Sequence, residues 1–215
     1  TVLISGGQIG DVLPDTQFSA ALRAACHTVE DLDGQLLSAG LIDLQVYGGG
    51  GALFSSHPNL ATLENLYAHN LRHGTTGFLA TLPTSSVGLM EQSVEAALAF
   101  HKKHPHVLFG LHLEGPFLSP AKLGAHPEKH VQTPDLQSVK YWIERSKGIL
   151  KMLTIAPECT TPDVLALGRG HGVVFSAGHS NATYAEAWAG FENGCTSATH
   201  LFNAMSQLGH RAPGL

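Results

Sequence analysis

From Leu41 onward, apolar runs of strand length alternate with segments whose apolar residues return every three or four positions. The runs are LIDLQVY, TGFLATL, VLFGLHL, LKMLTIA, GVVFSAG and TSATHLF. Between them, Leu60, Leu63, Tyr67 and Leu71 share one helical face, and Val87, Met90, Val94 and Leu98 form a second stripe. Thr133-Pro134-Asp135 reads as an N-cap, a proline at N1 and a first-turn acid ahead of Leu136, Val139 and Ile143. Thr161-Pro162-Asp163 repeats that signal, and a helix from about Ala182 carries Tyr184, Trp188 and Phe191 before ending on Gly194. Six such alternations predict a parallel sheet. GGGGALF is a poor match to the GxGxxG turn of a doubly wound sheet. The unusual polar residues fall instead at strand C-terminal ends, where a (β/α)8 barrel builds its site. The predicted class is α/β: a (β/α)8 TIM-type barrel, incomplete, with about six strand–helix units in residues 40–215. Residues 1–39 read as short strands separated by Gly, Pro and Asp turns, the N-terminal part of a small β-sandwich domain.

Composition narrows the partners. The chain has 215 residues, 43% of them hydrophobic, a mean hydropathy of +0.06 and no apolar run near membrane-spanning length. Net charge is −5 with no basic stripe, which argues against nucleic acid and anionic membrane but leaves a locally basic pocket for an anionic small molecule. Cys26, Cys159 and Cys195 are scattered and odd in number, so neither a disulfide framework nor a thiolate zinc site is expected, and a reducing cytoplasm fits. No secretory signal is visible at the N-terminus. Histidine is the outlier: 14 residues against 12 Lys and Arg together.

The strand ends supply the candidate chemistry. In LIDLQVYGGGG, Asp43, Gln45 and Tyr47 share one face of a strand, and Ile42, Leu44 and Val46 the other. Glu114 closes the third strand, while His179 and His200 follow the fifth and sixth. One carboxylate and two imidazoles converging at a barrel mouth suit a three-ligand zinc site with an open position. Spacing alone leaves each of the three equally readable as a hydrogen-bonded core or surface residue. His112, deeper in the third strand, is a weaker candidate, and His57, His69, His73, His101, His104, His106, His130 and His171 read as solvated surface. Gly48–Gly51 reads either as a flexible turn or as a substrate-contact loop.

HLEGPFLSPAKLGAHP, SAGHSNATYAEA and GCTSATHLFNAMSQLGHRAPG closely resemble the N-acetylglucosamine-6-phosphate deacetylase family of the amidohydrolase superfamily, and LIDLQVYGGGG and HGTTGFLATLPTS fit its pattern. The resemblance implies metal ligands at Glu114, His179 and His200, acetyl contacts at Ala125 and His126, and sugar-phosphate contacts at Asn203, Ala204 and Arg211. It implies hydrolysis of the acetamide of N-acetylglucosamine 6-phosphate to acetate and glucosamine 6-phosphate, with His126 stabilising the oxyanion. Many amidohydrolases carry His-x-His where Gln45 and Tyr47 stand, so one metal ion is expected. That ion is zinc, with iron, cobalt or manganese as alternatives, and Gln45 would hydrogen-bond the attacking water. Tyr47 could equally be packing. The family's general acid/base Asp has no counterpart here, since the chain stops at Leu215 after the sixth strand. The 215-residue chain is therefore expected to be inactive or nearly so by itself. Family members are commonly homodimers. Two other readings stay open: an amidohydrolase acting on another N-acetylated or cyclic amide, and a non-catalytic module binding metal or sugar phosphate.

Overall fold

A short apolar run and two adjacent glycines start the chain as a hairpin. The computed structural model describes residues Thr1–Leu215, in which β1 (Val2–Ser5) pairs antiparallel with β2 (Gln8–Val12). The turn is Gly6-Gly7, both at positive φ (57° and 75°), the conformation a tight two-residue hairpin requires. The strand reading of this region stops there. Ala20–Ala25 form a helix, α1, capped by Ser19, whose hydroxyl accepts the Leu22 amide at 3.2 Å. AALRAA consists of strong helix formers, and this propensity overrides the turn-rich context that suggested more strands. Contact density separates two units, Thr1–Ala39 and Gly40–Leu215.

The second unit is a six-stranded sheet in which all neighbours run parallel. Its strands are β3 (Leu41–Val46), β6 (Thr75–Pro83), β7 (Leu108–Glu114), β8 (Leu150–Ile155), β9 (Val174–Ala177) and β10 (Cys195–Ala198), in the order β10-β9-β8-β7-β6-β3. A minor hairpin, β4 (Gly48–Gly49) and β5 (Ala52–Leu53), follows β3. The helices are α2 (Leu60–Leu71), α3 (Val87–Lys103), α4 (Leu136–Arg145), α5 (Pro162–Gly170) and α6 (Tyr184–Asn193). No helix is long and apolar enough to cross a membrane.

Strand alternation sorts the sheet into two faces. Phe78, Ala80 and Leu82 of β6, Leu111 and Leu113 of β7, Leu153 and Ile155 of β8, and Phe175 and Ala177 of β9 join the apolar core with the helices. The intervening residues include Thr81, His112, Glu114, Thr154 and Ser176, all buried and all polar. They line the opposite face. Gln45 on edge strand β3 and His200 just beyond the other edge, β10, approach to 3.4 Å. A flat six-stranded sheet would hold its edges about 24 Å apart. The sheet is therefore strongly curled, and its polar face is the inside of a partial barrel.

Several local expectations need correction. Asp135, not Thr133, caps α4, because its carboxylate accepts the Ser138 amide at 2.8 Å. Thr161 is the cap of α5, as expected. α6 starts at Tyr184 with a reciprocal capping box between Thr183 and Glu186. Tyr184, Trp188 and Phe191 lie exposed on its outer face, and Ala187 and Gly190 are its buried residues. The apolar back of β3 is only partly covered: Val46 is buried, but Ile42 and Leu44 are 58% and 52% exposed, because β3 has a single neighbour.

Candidate metal centre

The centre is assembled from strand ends. Glu114 is the last residue of β7, and the chain turns away immediately after it. Gly115 makes that turn at φ 92°, where an added Cβ would lie 2.1 Å from Thr84 Oγ1. His179 and His200, two residues beyond β9 and β10, both adopt the left-handed region, at φ 48° and 54°. Non-glycine residues seldom sit there, and such backbone strain concentrates at functional sites.

Glu114 is the hub. Its residue is 1% exposed. Oε1 lies 2.7 Å from His200 Nε2, 3.1 Å from His179 Nε2 and 3.0 Å from Gln45 Nε2. Oε2 accepts the Tyr47 hydroxyl at 2.7 Å and lies 3.5 Å from His126 Nε2. Burial by itself would raise the Glu114 carboxyl, but the bonds from His126, His179 and Tyr47 outweigh it and hold the group far below the ordinary carboxylate range. Burial and the neighbouring carboxylate together push the Tyr47 phenol upward, so it stays a neutral donor.

Hydrogen-bond partners fix what two of the imidazoles offer. His179 Nδ1 faces the Lys122 carbonyl at 3.0 Å, an acceptor only, so Nδ1 carries a proton and Nε2 is the nitrogen turned to the centre. His126 is the reverse. Its Nδ1 accepts the Thr84 amide at 3.2 Å, so Nε2 carries the proton and points a donor inward. The two rings are 4.3 Å apart by centroid. Facing Glu114 Oε1 at 3.1 Å, His179 Nε2 either carries a proton or shares a cation with the carboxylate. Consistent with the first, burial lowers the His179 pKa but Glu114 overcompensates and raises it. The donor set also fits the second: a carboxylate and two imidazole nitrogens gathered around one point.

Glu114, His126 and His179 place donor atoms all within 4.8 Å of one another, and all three residues are buried. That grouping differs from the expected Glu114, His179 and His200. Proximity favours His126, but its inward Nε2–H is a donor and not a ligand atom. His200 lies outside that grouping, although its Nε2 is 2.7 Å from the same carboxylate.

The remaining expected residues lie in loops. Ala125 adjoins His126 on the surface between β7 and α4, and Asn203 and Ala204 continue the loop after His200. Arg211 is exposed in the turn closed by Gly209 N–H and the Ala212 carbonyl. Gly48–Gly51 form the β4–β5 hairpin, whose Gly49 and Gly50 carbonyls are held by Asn65 Nδ2 at 3.0 and 3.1 Å. His112 lies below the centre. Burial pushes its pKa down to about 4, and its nitrogens engage the Leu44 carbonyl and Thr154 Oγ1. Among the surface histidines, His104 is partly buried against Glu64, and His101 bonds the Leu108 carbonyl. Sequence reasoning gave Tyr47 no clear part and missed the Thr84 amide and Lys122 carbonyl. The only signal for Tyr47 was its shared strand face with Gln45; the other two act through backbone atoms.

Fold and site define the class: a partial (β/α) barrel with a carboxylate–imidazole cluster at its strand C-terminal ends that could hold a metal ion. No family model matches the chain. Curated proteins do. N-acetylglucosamine-6-phosphate deacetylase of Haemophilus influenzae is 37% identical over 212 residues, 96% of this chain and 53% of that protein. N-acetylgalactosamine-6-phosphate deacetylase of a Shewanella species is 37% identical over 180 residues, 83% of this chain and 45% of that protein. The crystal structure of N-acetylglucosamine-6-phosphate deacetylase from Pasteurella multocida superposes with a TM-score of 0.91 at 34% identity, covering 99% of this chain and 55% of that one. The chain is thus similar to N-acetylglucosamine-6-phosphate deacetylases, and it spans about half the length of the curated relatives it matches.

Proposed function

We propose that this protein serves the hydrolysis of the acetamide of N-acetylglucosamine 6-phosphate to acetate and glucosamine 6-phosphate. One observation supports this most: at adjoining positions His179, its Nδ1 committed to the Lys122 carbonyl, turns Nε2 inward, while His126 turns a proton inward. Amide hydrolysis needs both, a ligand set for a metal and a donor for the oxyanion. Glu114, His179 and His200 would hold one divalent ion, zinc in this reading, with iron, cobalt or manganese as alternatives. Such an ion supplies Lewis acidity and a water whose pKa is lowered to ~7.

The chain's own groups do the rest. His126 Nε2–H donates to the acetyl oxygen as charge builds on it, worth roughly 3–4 kcal/mol. Gln45 orients the attacking water, and Ala125 flanks the acetyl group. Asn203, Ala204 and the Arg211 fork bind the sugar phosphate and fix the carbonyl in place. Tyr47 and Gln45 hold the Glu114 carboxylate in position. Proton delivery to the leaving amine is unfilled: the deacetylase resemblance assigns it to an Asp without a counterpart among these residues. Residues 1–215 alone are accordingly proposed to turn over slowly or not at all. A cytoplasmic setting fits three free cysteines, and a homodimer is proposed from the resemblance.

A second reading is favoured by one finding. The Shewanella relative, named for the galacto epimer, matches at the same 37% identity. Calorimetric titration of the zinc-loaded protein with both N-acetylhexosamine 6-phosphates and with unphosphorylated N-acetylglucosamine tests the proposal, with acetate release followed in parallel. Binding of a phosphorylated sugar and not the unphosphorylated one is expected. Equal binding of both, or none, contradicts the reading. Acetate release at the rate of the Haemophilus relative contradicts the assignment of slow turnover.

A further inference from the structure

We propose that Glu158 is a positioning residue for the metal centre, clamping the turn that carries His179; the inference rests on His179 being a metal ligand. Glu158 lies in the short 3-10 turn Pro157–Cys159, three residues after the end of β8, and its side chain bonds none of the histidines of the cluster. Its Oε2 accepts the Ser180 hydroxyl at 2.6 Å and its Oε1 accepts the Asn181 amide at 2.6 Å. These are the two residues after His179. Both bonds are short, as expected for a carboxylate acceptor.

The clamp reaches further than one turn. Ser180 Oγ also accepts the Ala182 amide at 3.1 Å. The Ser180 backbone pairs with the segment after β10: its amide donates to the Ala204 carbonyl at 3.3 Å and its carbonyl accepts the Ser206 amide at 3.0 Å. One carboxylate therefore ties together the ends of β8 and β9 and the loop following His200. This explains how His179 is kept in the left-handed conformation (φ 48°) that its side chain disfavours. From the other side, the His179 carbonyl accepts the Ser119 amide at 2.9 Å and its Nδ1 donates to Lys122. Glu158 and these two contacts grip the residue before and behind.

Glutamine can keep part of the clamp. Its Oε1 can accept the Asn181 amide while its Nε2 donates to Ser180 Oγ, because a hydroxyl can reverse its role. Alanine keeps nothing. Glu158→Ala is expected to weaken Co(II) binding by about 10–100-fold, the range for groups that orient metal ligands. Glu158→Gln is expected to lose only about fivefold, the step from a charge-assisted to a neutral hydrogen bond.

The experiment combines two readouts on the purified protein: Co(II) affinity from visible absorption, and amide hydrogen exchange across residues 179–183 in the metal-free state. The proposal expects exchange to rise in the order wild type, Gln, Ala, with affinity falling in the same order. Should the Ala variant fail to fold, Ser180→Ala removes one of the two bonds together with the Ala182 contact and is expected to fall between Gln and Ala. Unchanged exchange overturns the clamp, and raised exchange with unchanged affinity overturns its link to the metal centre. If the wild type binds no Co(II), the metal reading falls; the exchange data still decide the clamp.

Discussion

His126 offers a test in which two conservative substitutions separate the two ends of one ring. In His126→Asn, the side-chain oxygen falls near the place of Nδ1 and can still accept the Thr84 amide, but nothing replaces the inward Nε2–H. In His126→Gln, an amide group reaches the place of Nε2 and can donate inward, but the Thr84 amide loses its partner. Thr84 is 2% exposed, so that amide would be orphaned away from water. A buried unsatisfied donor costs about 1–3 kcal/mol. For a domain of this size each kcal/mol shifts Tm by about 2–4 °C, giving a deficit of about 2–12 °C for Gln relative to Asn. The assay is thermal unfolding of both variants with a chelator present, so that metal affinity does not enter. Nitrogen-15 NMR of the wild-type ring should show the proton on Nε2. Equal stability of the two variants, or a wild-type proton on Nδ1, would refute the tautomer argument and with it the distinction between His126 and His179.

Other outcomes follow from the same contacts. Tyr47→Phe removes the 2.7 Å donor to Glu114 Oε2 and is expected to weaken Co(II) binding by about 10-fold or more, with little change in far-UV circular dichroism. Gly168→Ala places a methyl group 2.3 Å from the Phe175 ring, between α5 and β9, and overpacking of this kind costs about 1–3 kcal/mol in urea unfolding. Glu64 is buried enough to raise its carboxyl, yet Lys103 and His104 outweigh this and hold it below the ordinary 4.5. Its folded pKa is the lower one, so its contribution is present above pH 4.5 and lost as pH falls through the folded value. The stability gap between wild type and Glu64→Gln, about 0–1 kcal/mol for so exposed a cluster, should be seen near pH 7 and close in acid.

The parts of the fold that were legible were those written in side-chain period. All six sheet strands sit within or beside the apolar runs, because β6, β7 and β8 are covered on both faces and need continuous apolar sequence. β3 was legible as a strand but not as an edge: its alternation is the same whether or not Ile42 and Leu44 are covered. Likewise the aromatic spacing on α6 marks a helix without saying that Tyr184, Trp188 and Phe191 face outward. At the site, Glu114, His179 and His200 stood out because charged or imidazole groups end apolar strands. His126 came only through resemblance, since it lies in a loop 12 residues after Glu114, where no period constrains it. Which of its nitrogens holds the proton depends on the Thr84 amide, 42 residues away in sequence, and such a contact has no local signature.

Glu114, His179 and His200, and not His126, are the proposed ligands of a single metal ion. Elemental analysis of the wild type, His200→Ala and His126→Asn, each dialysed against limiting Zn(II), tests this directly. The account predicts about one ion per chain in the wild type and in His126→Asn, and a stoichiometry near zero in His200→Ala. Two ions per wild-type chain, or metal lost from His126→Asn but kept by His200→Ala, would contradict it.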